Sequence, residues 1–167
     1  GPGFFGVVTR LELQLYQAPE TIVDSMYIHP LDNLSVVTNA LEKLVKTKDE
    51  RVEILLLLMH NPQPPSGTPP EQAKICFVGV NAFADSKADA HEMLQPFAQS
   101  ELATQSAFKV EFQPSSFQKL YNPENVDTGL GRYAVDTDWT SDLNGALHAV
   151  ADHFRSTPSI RSHFVSS

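Results

Sequence analysis

Val52-Glu53-Ile54-Leu55-Leu56-Leu57-Leu58-Met59 is followed, after a loop, by Lys74-Ile75-Cys76-Phe77-Val78-Gly79-Val80-Asn81-Ala82-Phe83-Ala84. Both runs are apolar, and both are too short for a membrane span. Each is bounded by turn-forming residues, as a buried strand is. The connector Asn61–Pro70 holds five prolines and a glycine, so it excludes regular structure. Two strands in succession with no helix between them form a hairpin rather than a parallel βαβ unit. The continuous apolar character of Val52–Met59 predicts a strand covered on both sides or central in its sheet.

Outward from this hairpin the period changes. Before it, Leu34, Val37, Leu41, Leu44 and Val45 repeat at three and four residues, an amphipathic helix within Leu31–Val45 that Asp32 or Asn33 can cap. Thr21–Ile28 is β-branched and apolar, a strand ending at His29-Pro30. Beyond the hairpin, Asp85-Ser86 starts a helix from Lys87 to about Gln99 with Ala90, Met93, Leu94 and Phe97 on its inner stripe. Phe108, Val110 and Phe112 alternate with Lys109, Glu111 and Gln113, a strand. A short helix is expected around Phe117–Tyr121 and a strand over Arg132–Thr140. A helix follows from Ser141 or Asp142 with Leu143, Ala146, Leu147, Val150 and Phe154 buried, and Ile160–Val165 reads as a last strand. Helices thus alternate with sheet-forming hairpins. That order predicts an α+β fold, an antiparallel sheet backed by helices.

Composition narrows the function classes. The chain has 167 residues, 41% hydrophobic and 19% charged, enough to bury a substantial core. The formal net charge of -8 argues against a nucleic-acid partner and against an anionic membrane surface. Cys76 is the single cysteine, so there is no intrachain disulfide, and its apolar neighbours predict a buried, inert thiol. The six histidines are scattered without ligand spacing and are expected at the surface; no metal site is predicted. No nucleophile elbow, P-loop or Cys-His pair in a catalytic context is present.

Two segments carry candidate chemistry. Gly1-Pro2-Gly3-Phe4-Phe5-Gly6-Val7-Val8-Thr9-Arg10 places three glycines in six residues, a backbone able to pass close to a bulky ligand, and a strand is expected from Val8 to Leu15. A tight turn accounts for the glycines equally well. Gly131-Arg132-Tyr133-Ala134-Val135-Asp136-Thr137-Asp138-Trp139-Thr140 places the only Trp beside a Tyr and two carboxylates. On a strand, Tyr133 and Trp139 would share one face while Asp136 and Asp138 share the other, which would suit a ligand pocket; a core Trp with solvated acids accounts for the pattern at least as well.

Together these segments resemble the FAD-linked oxidase family. This is the PCMH-type, vanillyl-alcohol-oxidase-like group that includes berberine bridge enzyme and 6-hydroxynicotine oxidases. The opening glycine-rich stretch is similar to the last strand of that family's FAD-binding domain. Phe83-Ala84-Asp85-Ser86 and Gly131–Asp136 followed by Trp139-Thr140 resemble its substrate domain. The resemblance implies that residues 1–18 belong to the FAD domain. It implies that 19–167 form the substrate-binding domain, a ferredoxin-like sheet that roofs the flavin ring, without the family's C-terminal return segment. By the same resemblance FAD is the cofactor, held mostly by a domain outside this chain. Gly1, Gly3, Phe5, Gly6, Val7 and Val8 would line it. Asp136, Asp138 and Tyr133 would be catalytic, and Trp139 and Tyr121 would bind substrate. The sequence departs from the family at Thr137 and Asp138, where members often carry Asn and an apolar residue. The implied parent is an FAD-dependent oxidoreductase that passes a hydride from a small organic substrate to flavin, with O2 reoxidising it; the chain alone is expected to be inactive. The implied partners are that substrate, the parent's FAD-binding domain and, through the sheet, a homodimer. The alternative is a non-catalytic ferredoxin-like module for ligand binding or dimerisation.

Overall fold

The computed structural model describes residues 7–15, 17–69, 73–121, 134 and 139–166. Their elements run β1 (Thr21–Pro30), a 3-10 turn (Leu31–Asn33), α1 (Leu34–Leu44), β2 (Val52–His60), β3 (Lys74–Ala84), α2 (Lys87–Ala98), α3 (Glu101–Thr104), β4 (Phe108–Ser115), α4 (Phe117–Leu120), α5 (Leu143–Arg155) and β5 (Phe164–Ser166). The strands form one antiparallel sheet in the order β4-β1-β3-β2-β5. β3 lies between β1 and β2, so β1-α1-β2 is a split crossover. With β3-α2-β4 it completes the ferredoxin-like β-α-β-β-α-β pattern, to which β5 adds an edge.

α1, α2, α3 and α5 line one side of this sheet, and the short α4 sits at a corner of the other. Val23, Tyr27, Leu56, Leu58, Cys76, Val78, Val80 and Ala82 point into a core shared with Val37 and Leu41 of α1, Leu94 and Phe97 of α2, Leu102 of α3 and Leu147 and Phe154 of α5. Alternation along each strand sends the intervening residues to the opposite face. β2 is therefore covered by helices on one side only. Of the two alternatives read from its unbroken apolar run, the interior one holds, since β2 lies between β3 and β5; among the described residues no second helix layer covers its other face.

Local signals explain the boundaries. The Ser86 hydroxyl accepts from Asp89 N–H and the Asp142 carboxylate from Gly145 N–H, each capping its helix as the sequence implies. Neither Asp32 nor Asn33 caps α1 through its side chain; a 3-10 turn leads into that helix instead. The proline loop turns at Pro65–Thr68, closed by a 3.1 Å backbone bond, and Gly67 takes φ +83°, a conformation that suits glycine.

One expectation fails here, and another falls mostly outside the described residues. Residues 7–15 form no strand and stand exposed, because an alternating pattern needs a hydrogen-bonded neighbour to become a strand and the described sheet provides none. The described part of Arg132–Thr140, namely Ala134, Trp139 and Thr140, also lies outside any strand, and the rest of that stretch lies outside the described residues.

Candidate functional site

Cross-strand register assembles the open face row by row. Phe108, Ile28, Phe77, Leu57 and Val165 pair across all five strands into one apolar row. The next row is Val110, Met26, Gly79 and Leu55. Then comes a polar row, Gln113, Asp24, Asn81 and Glu53, and beyond it Ser115, Ile22 and Phe83.

The second row has a gap at its centre. A Cβ built on Gly79 would meet the Phe77 ring at 3.1 Å and Leu55 Cβ at 4.0 Å. The glycine is therefore a notch into which the Phe77 ring leans, with Met26 and Leu55 on either side. A glycine inside a central strand marks a place where other atoms approach the backbone closely. At one end of the notch stands Asn81, two residues along the same strand, with Asp24 and Glu53 on its two sides. The Asp24 carboxylate accepts from Lys119 Nζ at 2.8 Å. Among the described residues, neither the Glu53 carboxylate nor the Asn81 carboxamide has a hydrogen bond or ion pair.

α4 closes one corner. The Phe117 ring stacks on Phe83 at 6.0 Å, and Tyr121 stacks on Phe117 at 6.2 Å and 10°. Ser116 caps this short helix by accepting from Lys119 N–H, which fixes the turn that carries both aromatic rings.

The opposite side is a groove of about 900 Å³ that wraps the β2 edge. β5 pairs with β2 only at Leu56–Leu58, so the edge of Val52–Leu55 is uncovered by strand among the described residues. Leu41, Leu143 and Trp139 line the groove together with Glu53, Leu55 and Asn81 of the open face. A smaller hollow of about 290 Å³ lies between the end of α1 and α2. Its Asp49 and Asp89 are both bonded to Arg51, at 3.0 and 2.9 Å, and the Arg51 side chain holds the Asp49 carboxyl below its usual range. Among the described residues no group of three or more His, Cys, Asp or Glu could hold a metal ion.

The sequence-derived candidates divide by position. Gly1, Gly3, Phe5, Gly6, Tyr133, Asp136 and Asp138 lie outside the described residues. Val7 and Val8 stand exposed on an irregular segment. Tyr121 is 77% exposed and ends the aromatic stack; Trp139 is 99% exposed at the groove. The two are not brought together, but they flank the same polar row: Tyr121 through Phe83, Trp139 through the groove it shares with Asn81. Gly79, Asn81 and Glu53 were not singled out from the sequence. The signal for them was present, since glycine and asparagine are poor strand formers and both interrupt the apolar run of β3.

Buried polar groups elsewhere serve the fold. Cys76 is wholly buried, which raises its thiol to about 12, as the inert reading expects. His29 departs from the expected surface placement. It is fully buried, and its Nε2–H donates to the Leu102 carbonyl at 2.9 Å. The Tyr27 hydroxyl is buried beside Glu111 and Ser25 without a well-aligned hydrogen bond to either; burial first, and the Glu111 carboxylate second, raise its pKa.

No family model, curated protein or solved structure significantly matches the chain.

Proposed function

We propose that this chain is the substrate-binding domain of an FAD-dependent oxidoreductase, and that its open sheet face roofs the flavin ring with the substrate between. The observation that carries this reading is the open face itself: two apolar rows, the second centred on Gly79 with the Phe77 ring leaning over it, edged by Asn81. A flat apolar surface with one break fits a planar ring stack, and convergent polar groups at its edge orient a ligand. Only the roof over the ring falls to the described residues. The stretch proposed to run beside the flavin, Gly1 to Val8, lies mostly outside them.

When bound, flavin supplies the hydride acceptor, and O2 is the proposed terminal acceptor. The protein's part is shape, water exclusion and proton handling. Met26, Leu55 and Phe77 would hold the apolar body of a substrate. Asn81 would accept or donate a hydrogen bond at its polar end. Asp136 or Asp138 as proton acceptor, Tyr133 as hydrogen-bonding group, and Trp139 and Tyr121 as packing surfaces belong to the same proposal.

Lumiflavin, the ring system without phosphates, tests it. Titrated into the isotope-labelled chain, it should shift the backbone amides of Leu55, Phe77, Gly79 and Asn81 and leave those of α1 and α5 in place. Shifts confined to the helix side, or none up to the solubility limit, would overturn the reading. Full FAD should bind no more than weakly, with no red-shifted spectrum, because most of its contacts are assigned to another domain. The same apolar face also favours a second reading, a module that dimerises through its sheet. A stable dimer whose open-face amides are protected from hydrogen exchange would select that reading instead.

A further inference from the structure

We infer that residues 10–13 of one copy of this chain add as a strand to the outer edge of β4 in a second copy, antiparallel, with Arg10 opposite Glu111 and Glu12 opposite Lys109. Each copy gives one strand and receives one, so the assembly closes as a two-fold dimer. This goes beyond the proposed function and rests on none of it.

Both halves of the contact lie in the one chain. Leu11 and Leu13 are each 76% exposed, and they alternate with Arg10 and Glu12 on a segment without a strand partner. β4 ends the sheet, and among the described residues no strand borders its outer edge. Such an edge presents unpaired amides and carbonyls that accept a further strand. On β4, Lys109 and Glu111 lie on the helix side with Tyr27, while Phe108 and Val110 lie on the open side with Ile28 and Met26. Segment and strand each carry an ion pair of their own, Arg10 with Glu12 and Lys109 with Glu111. Both write it in the same order, cation and then anion two residues on. Parallel alignment therefore opposes like charges, and antiparallel alignment opposes unlike ones. In the antiparallel register Leu11 falls beside Val110 and Leu13 beside Phe108, so both apolar rows of the open face lengthen by one strand. Glu111 also has an acceptor to offer. Its Oε2 bonds Lys109 Nζ at 2.9 Å, while its Oε1 is buried without a hydrogen-bond partner among the described residues. A buried acceptor left open costs free energy, and the Arg10 guanidinium carries five donors.

Chain reach makes the partner a second copy. Leu13 opposite Phe108 lies level with Ile28, seven residues along β1 from Thr21. That is about 23 Å along the strand and about 10 Å across two strand spacings, or about 25 Å in all. The added strand leaves Leu13 heading away from Thr21. Eight peptide steps span at most about 28 Å, and the reversal uses two or more of them, leaving about 20 Å. The same chain falls short of its own β4.

Two single-cysteine substitutions test this in trans: Leu11→Cys in one preparation and Val110→Cys in another. Cys76 is wholly buried and stays out of the reaction. Mixed in a glutathione redox buffer, the two should form a disulfide-linked heterodimer in preference to either homodimer. Phe108→Cys in place of Val110→Cys sets the thiols two residues out of register and should lose the cross-link. Arg10→Glu with Glu12→Arg, added to the Leu11→Cys chain, should cut the heterodimer yield about 5-fold. Lys109→Glu with Glu111→Lys in the partner should restore it. Leu57→Lys, on the open face, should leave the yield unchanged, which separates this edge contact from face-to-face association. Homodimers and heterodimers in statistical proportion, equal cross-linking through Phe108→Cys, or indifference to the charge reversal would each overturn the inference. So would a disulfide within the doubly substituted chain but none between the singly substituted ones, because it would show pairing in cis.

Discussion

His29 shows how one residue escapes a pattern and then sets a solution property. It lies on β1 in register with Cys76, on the helix-facing side, where its ring is fully buried. Burial lowers its pKa below the ordinary 6.5, and the bond to the Leu102 carbonyl opposes this only in part. The unfolded chain therefore takes up a proton at a pH where the folded chain does not. Stability from this group is complete above 6.5 and falls as pH drops below it, by at most about 1.4 kcal/mol per pH unit. His60 adds in the same sense, lowered first by burial and then by Lys74 nearby. Urea unfolding at pH 7.5, 6.5 and 5.5 should give a falling free energy, with a shallower fall in His29→Gln. Parallel slopes for the two proteins would refute this assignment. The sequence placed Cys76 correctly, because a thiol amid β-branched and aromatic neighbours has one comfortable environment. It could not place His29, because imidazole suits a surface and a hydrogen-bonded interior equally well.

At the scale of elements, α5 and β4 each carry a buried polar contact that no periodicity reveals. Lys74 is 4% exposed, and its ammonium donates to the carbonyls of Phe154 and Arg155 at 2.8 and 2.6 Å while sitting 5.4 Å from the Phe154 ring centre. These carbonyls end α5, where the backbone lacks its own donors and the helix dipole favours a cation. Lys74→Met keeps the aliphatic stem but strips the charge, and it should cost about 2–3 kcal/mol. Thermal unfolding measures it; a change below about 0.5 kcal/mol would show that packing of Leu147, Ala151 and Phe154 alone docks the helix. On β4, register with β1 slips between Asp24 and Met26, and Phe112 takes φ 55° there. Its N–H donates to the buried Ser25 hydroxyl at 3.1 Å, which satisfies the amide that the bulge removes from the ladder. The inner stripe of α2 was legible in full, since Ala90, Met93, Leu94 and Phe97 are all buried as spaced. α3 was not legible, because four residues carry no period.

At the scale of the whole molecule, the sheet has two unlike faces, and the proposed function uses the one that α1, α2, α3 and α5 leave open. An apolar row runs across five strands, with Phe108 and Val165 exposed and Ile28, Phe77 and Leu57 partly so, a continuous patch of the kind that marks an interaction surface. In the absence of ligand, sedimentation should therefore show an apparent mass that rises with concentration. Leu57→Lys, at the middle of that row, should suppress the rise while its stem preserves the fold. Identical sedimentation of the two proteins would place self-association elsewhere.

By itself the sequence determined the order of the longer elements from β1 to β4 and of α5, the antiparallel α+β class and most of the buried stripes of the helices, because these follow from short-range periodicity and from a proline loop that forbids a crossover. Only the tertiary structure decided which strand neighbours which. That pairing set Asn81 between Asp24 and Glu53, turned Gly79 into a notch and left one face open. Register is a long-range property: residues more than 50 positions apart meet because a shared core demands it, and no local pattern encodes which partner each will find.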